Sequence, residues 1–181
     1  MSHHILASDD FRNVLKTSTQ PLHEALDSRM AALDIRDLDA RRVFSEIMCT
    51  GYSRLGRACG WNAAEATPVL RDLVRALSEA GEQPSPAVPA DATLAADAVA
   101  YVVLGSQFGL RYLRGRLPAQ DRTGIFACEP DTLAWRDFQS RMTSRPPAAS
   151  LRERIISDAM HAFEIFLSEA QSRIRKVSLC A

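Results

Sequence analysis

The stretch LKTSTQPLHEALDSRM, residues 15–30, carries the groups best suited to chemistry. Written on a helix, Lys16, Thr19 or Gln20, His23, Asp27 and Met30 recur three or four residues apart and share one face. Leu15, Leu22 and Leu26 fall on an adjacent stripe that can enter a core. The shared face offers an imidazole, a carboxylate one turn later and an ammonium two turns earlier. A neutral imidazole is a metal ligand, and a nearby carboxylate fixes its orientation directly or through water. Lys16 is then placed to meet an anionic group beside the metal. A plainer alternative stands next to this one: a single histidine on an amphipathic helix is ordinarily a surface or half-buried residue that binds nothing.

A second unusual pattern lies far downstream, in DATLAADAVAYVVLGSQFGLRYLRGRL at 91–117. Gly105 and Gly109 are four apart and share a helix face. A glycine inside a helix costs about 1 kcal/mol relative to alanine. Two at this spacing call for a close backbone approach or a bend, and the segment is expected to be helical but interrupted. A neighbouring helix is the ordinary partner for such a face. A flat ligand lying against bare backbone satisfies it equally.

Around these two segments the chain reads as an all-α protein of a single domain, 1–181. Of its 181 residues, 46% are hydrophobic, enough for one substantial core. No sustained period-2 alternation and no Asn-Gly or Asp-Gly hairpin turn is present, while helical periodicity is nearly continuous. The first helix is expected from Ser8-Asp9-Asp10 to about 32–34, with a kink or restart at Pro21. Further helices are expected at 39–59, at 64–80 with its regular part opening at Pro68, and at 131–144. Gly51, Gly56 and Gly60 allow close contacts or mark the fraying end of the second. GEQPSPAVP, 81–89, is the clearest loop. The last helix is expected to open with a capping box of Ser150 and Glu153, and His161 lies among its apolar residues as an ordinary histidine.

Charge and cysteine usage exclude several classes. The 22 basic residues balance 22 acidic ones and are scattered, which does not suit a nucleic-acid-binding surface. Cys49, Cys59, Cys128 and Cys180 form no C-x-x-C pair and no zinc spacing, so free thiols in a reduced, cytoplasmic setting are expected. The opening MSHHILASDDFR is not a signal peptide; residues 1–8, with His3 and His4, are expected to fray. The longest apolar run, 95–104, contains Asp97 and is too short to span a membrane.

Three segments, in this order, resemble the heme oxygenase family, in particular its bacterial branch found with phytochromes. The first is 15–27, where Lys16, Thr19 and His23 match a basic residue, a threonine and the proximal heme-ligand histidine. Asp27 matches an acidic residue one turn on, and Pro21-Leu22-His23 follows the bacterial order. The second is YVVLGSQFGLRYLRGRL, where Gly105, Ser106 and Gly109 match the distal helix. The third is Trp135-Arg136-Asp137-Phe138 with the later run 158–163, similar to C-terminal patterns of the family. There are two departures. Leu110 stands where the family has the second glycine of a pair, and Ser106 stands where many members have aspartate.

The resemblance implies a heme-oxygenase-like helical bundle whose first and distal helices sandwich heme. His23 would be the iron ligand, and Gly105 and Gly109 would let backbone approach the opposite face. Lys16, with Arg136 or Arg141, would pair with the propionates. Leu110 would crowd the oxygen site if it faces the iron, and would be harmless if it turns away. Ser106 would help hold water for proton delivery. The implied activity is cleavage of heme, as both cofactor and substrate, to biliverdin, carbon monoxide and ferrous iron. Oxygen is consumed, and electrons come from a reductase or ferredoxin. A phytochrome is a possible acceptor of the biliverdin. An alternative is a relative that binds heme or another tetrapyrrole without turnover, as carrier, sensor or regulatory partner. A third reading is a helical interaction module without heme.

Overall fold

The structure is a computed structural model that describes residues 11–85 and 92–180, with 176–180 described by backbone alone. The expected start of the first helix at Ser8, the fraying of 1–8, and most of the loop 81–89 lie outside the described residues.

Six α-helices and no strand make up the regular structure of the described residues: α1 (Phe11–Met30), α2 (Leu38–Ala58), α3 (Thr67–Glu79), α4 (Ala96–Arg114), α5 (Thr132–Ser144) and α6 (Ala149–Cys180). Three short 3-10 turns join them. None of the helices is long and apolar enough to cross a membrane, among the described residues.

Local chemistry sets several boundaries. The Asp37 carboxylate accepts from the Ala40 amide at 2.9 Å and caps α2. Asp131 does the same for α5 through the Ala134 amide at 2.8 Å. Pro68 lies in the first turn of α3, where its missing amide costs nothing.

Three expectations are corrected. α1 runs unbroken through Pro21, because one lost amide bond is outweighed by burial of Phe11, Leu15 and Thr19 along its inner face. α4 is likewise unbroken through Gly105 and Gly109. α6 opens at Ala149, so Ser150 sits inside the first turn and not at the cap.

α6 is the spine. α1, α2 and α4 each pack against it, α3 packs on α2, and α5 leans on both α1 and α4. The core contains Ile47, Tyr52, Leu55, Leu70, Val103 and Phe166. Gly51 of α2 permits the closest crossing, since a Cβ there would overlap the Phe166 ring of α6.

The direction of each helix along the spine follows from its contacts. Arg152, near the start of α6, lies 5.7 Å above the Phe11 ring, and Phe163, further along, lies 5.4 Å from the His23 ring. α1 therefore runs in the same sense as α6. The Ala95 amide, ahead of α4, donates to Asp158 at 2.8 Å. Ser106, further along α4, reaches Tyr52, which packs on Phe166. α4 also runs in the same sense as α6. Two parallel helices thus rest on one support and hardly touch each other.

Candidate functional site

α1 and α4 meet through one polar contact. Thr19 is 1% exposed, and its hydroxyl lies 2.9 Å from the Leu15 carbonyl and 3.2 Å from the Tyr101 phenol. A hydroxyl has one hydrogen. Thr19 donates it back to Leu15, as helical threonines do, so Tyr101 is the donor to Thr19.

One turn beyond this pair each helix carries a distinctive feature. On α1, His23 Nδ1 lies 3.1 Å from Asp27 Oδ2. A carboxylate only accepts, so Nδ1 carries the hydrogen, and in the neutral ring Nε2 is the nitrogen with a lone pair. The imidazole is 55% exposed and meets the Phe163 ring edge-on, at an interplanar angle of 72°. On α4, Gly105 and Gly109 face open space: a Cβ built on either would meet no atom within 4 Å. Among the described residues no neighbouring helix fills this face, so no described helix accounts for the glycine pair.

Tyr101, Phe108 and Tyr112 flank the glycines on the same stripe of α4, and the last two are 37% and 69% exposed. Trp135 of α5 backs this ridge, with its ring 6.4 Å from Tyr101 and 6.0 Å from Phe108. From Thr19 to the end of α1 is about 16 Å, and from Tyr101 to the end of α4 about 20 Å. The open surface between the two helices, the trough, thus carries an exposed imidazole on α1, bare backbone on α4 and an aromatic rim; the cavities lined by Arg136 with Gln139 and by Arg42 with Glu82 lie elsewhere.

Leu110 does not share the glycine face. It is 4% exposed and lies in the core. Five residues after Gly105, it is turned about 140° around the helix without any bend. Ser106 is half-buried beside Gly105 and is held by two bonds. Its hydroxyl donates to the Val103 carbonyl at 2.7 Å, so the Tyr52 phenol, at 2.7 Å, is the donor to it. Burial pushes the Tyr52 phenol far above its ordinary pKa, so it keeps its proton.

The expected carboxylate partners separate. Arg141 is committed: it binds both oxygens of Glu65 and lies 2.7 Å from Asp97. These hydrogen bonds hold its guanidinium above the ordinary range. Arg136 is 72% exposed, with only a 3.9 Å approach to Asp137. Lys16 is exposed on α1, two turns before His23.

Among the described residues no three His, Cys, Asp or Glu side chains gather into a metal site. Sequence reasoning missed Tyr101, Tyr52 and Phe163. Only Tyr101 left a usable signal, four residues before Gly105 on the same stripe.

No protein-family model, no curated protein and no solved structure matches the chain.

Proposed function

We propose that the trough between α1 and α4 takes heme edge-on and that the protein is a cytoplasmic heme-degrading monooxygenase releasing biliverdin, carbon monoxide and ferrous iron. The observation that carries this reading is that, one turn past the Thr19–Tyr101 contact, α4 has a side-chain-free face at Gly105 and Gly109 while α1 has an imidazole whose Nδ1 is tethered by Asp27. Heme, when bound, supplies both the redox iron and the ring that is cut, with oxygen as oxidant and electrons from an external reductase or ferredoxin.

The chain's own groups have distinct tasks. His23 would hold the iron through Nε2, and Asp27 would hold the ring orientation. Gly105 and Gly109 leave room at the far face. Lys16 and Arg136 are the cations open to the propionates, because Arg141 is engaged by Glu65 and Asp97. Tyr52 and Ser106 form a two-hydroxyl chain from the core to the distal helix. Because the Tyr52 phenol keeps its proton, it fixes the Ser106 hydroxyl as a donor and does not relay protons.

A non-catalytic tetrapyrrole binder is the second reading. It is favoured by one observation: the Ser106 hydrogen is already donated to the Val103 carbonyl, so a proton reaches the trough only if that hydroxyl rotates.

The test is hemin titration. The wild-type protein is expected to give a sharp Soret band that is lost in His23→Ala. With an electron donor and oxygen, decay of that band with growth of biliverdin absorption supports turnover, and a stable band supports the binder. Absence of the band in the wild type refutes both. A phytochrome that accepts biliverdin is the partner expected if turnover occurs.

A further inference from the structure

A mixed-charge cleft lies where α2, α6 and the chain after α3 meet. Arg42, Glu46 and Thr50 recur every four residues on α2 and form one stripe. Gly81, at φ +89°, turns the chain back after α3, and residues 82–85 then cross that stripe. The Ser85 amide donates to the Thr50 hydroxyl at 3.0 Å, and Arg173 of α6 donates to the Ser85 hydroxyl at 2.7 Å. Between these segments is a cleft of about 400 Å³, with Arg42, Glu46, Glu82, Ser85 and Arg173 in its walls.

The charges in this cleft are unevenly engaged. Arg173 bonds Glu46, Thr50 and Ser85. Arg42 is 73% exposed and lies 3.7 Å from Glu46. The half-buried Glu82 carboxylate has no hydrogen bond or ion pair among the described residues. Burial, and then the charge of Glu46, hold that carboxyl above its ordinary 4.5, against the smaller pull of Arg42 and Arg173. A desolvated carboxylate beside a second carboxylate calls for a cationic partner. A bare metal ion would face the two guanidinium groups. A primary ammonium brings three donors, and a carboxylate on the same small molecule would meet Arg42.

We propose that this cleft binds a free α-amino acid, with its ammonium between Glu82 and Glu46 and its carboxylate on Arg42. The site is separate from the trough, since Arg173 lies ten residues, about 15 Å, beyond Phe163 along α6. It stands without the tetrapyrrole reading.

Thermal unfolding with each of the common amino acids in turn is the first measurement, with ethylammonium and propionate as half-ligands. A ligand that binds the folded chain raises the midpoint. At least one amino acid is expected to raise it, and at equal concentration neither half-ligand does. No rise with any amino acid, or an equal rise with a half-ligand, would overturn the proposal. Titration of the best amino acid into isotope-labelled protein is expected to shift the amide resonances of residues 81–85, and shifts confined to other segments would overturn it equally. Glu82→Gln and Arg42→Met are each expected to weaken that binding about tenfold, since each removes one charged hydrogen bond. Glu82→Gln also relieves repulsion from Glu46, so its midpoint without ligand should not fall below the wild type, which separates lost binding from lost fold. Unchanged affinity in either variant refutes the site.

Discussion

At the scale of single residues, the orientation of position 110 decides more than its size. A leucine in place of a glycine would be an obstruction if it faced the trough. Leu110 is instead a core residue, so Leu110→Gly removes packing and clears nothing. The expected cost is about 2–5 kcal/mol for lost burial and about 1 kcal/mol for a helix glycine, read as a lower denaturation midpoint. Gly105→Leu is the informative contrast. It places a side chain into open space, so stability should hold or rise slightly while hemin affinity falls at least tenfold by absorbance titration. The pairing of His23 with Asp27 was legible from a four-residue spacing alone. The rotation of Leu110 was legible too, since helix geometry gives it directly. Tyr52 and Phe163 were not, because residues from α2 and α6 reach these places only through the tertiary arrangement.

At the scale of elements, the sequence marked each helix but misjudged the effect of its breakers. Two helix glycines and one internal proline suggested interruptions at 105–109 and at Pro21, yet both helices run through. Each breaker costs a few kcal/mol at most, and an inner face packed on α6 exceeds that. The tightest element contact carries its own prediction. In Gly51→Ala the new methyl would strike the Phe166 ring, which is wedged against Tyr52 at 5.3 Å between ring centres. With little space for the ring to retreat, destabilisation of about 1–3 kcal/mol is expected in chemical denaturation.

At the scale of the whole molecule, an all-α single-domain chain was readable from periodicity, whereas the leaning of three helices on one spine was not, since helical periodicity shows that a face is buried without naming what buries it. Long-range charge pairs complete the assembly. Arg141 ties α5 to the 64–66 turn and to α4, and its guanidinium holds the Glu65 carboxyl below its ordinary 4.5. A carboxyl lowered on folding stabilises above its unfolded pKa, and that contribution disappears as pH falls through the folded value. Wild-type thermal stability should therefore decline as pH drops below about 4.5, and Glu65→Gln should be less stable at neutral pH with a shallower decline. The spine has one more implication. Ala159 and Ala162, both fully enclosed within α6, lie where α6 carries its neighbouring helices. If the trough takes a ligand as proposed, its width would be inherited from the girth of a third helix, and enlarging Ala159 or Ala162 should alter what is admitted through a residue that no guest touches.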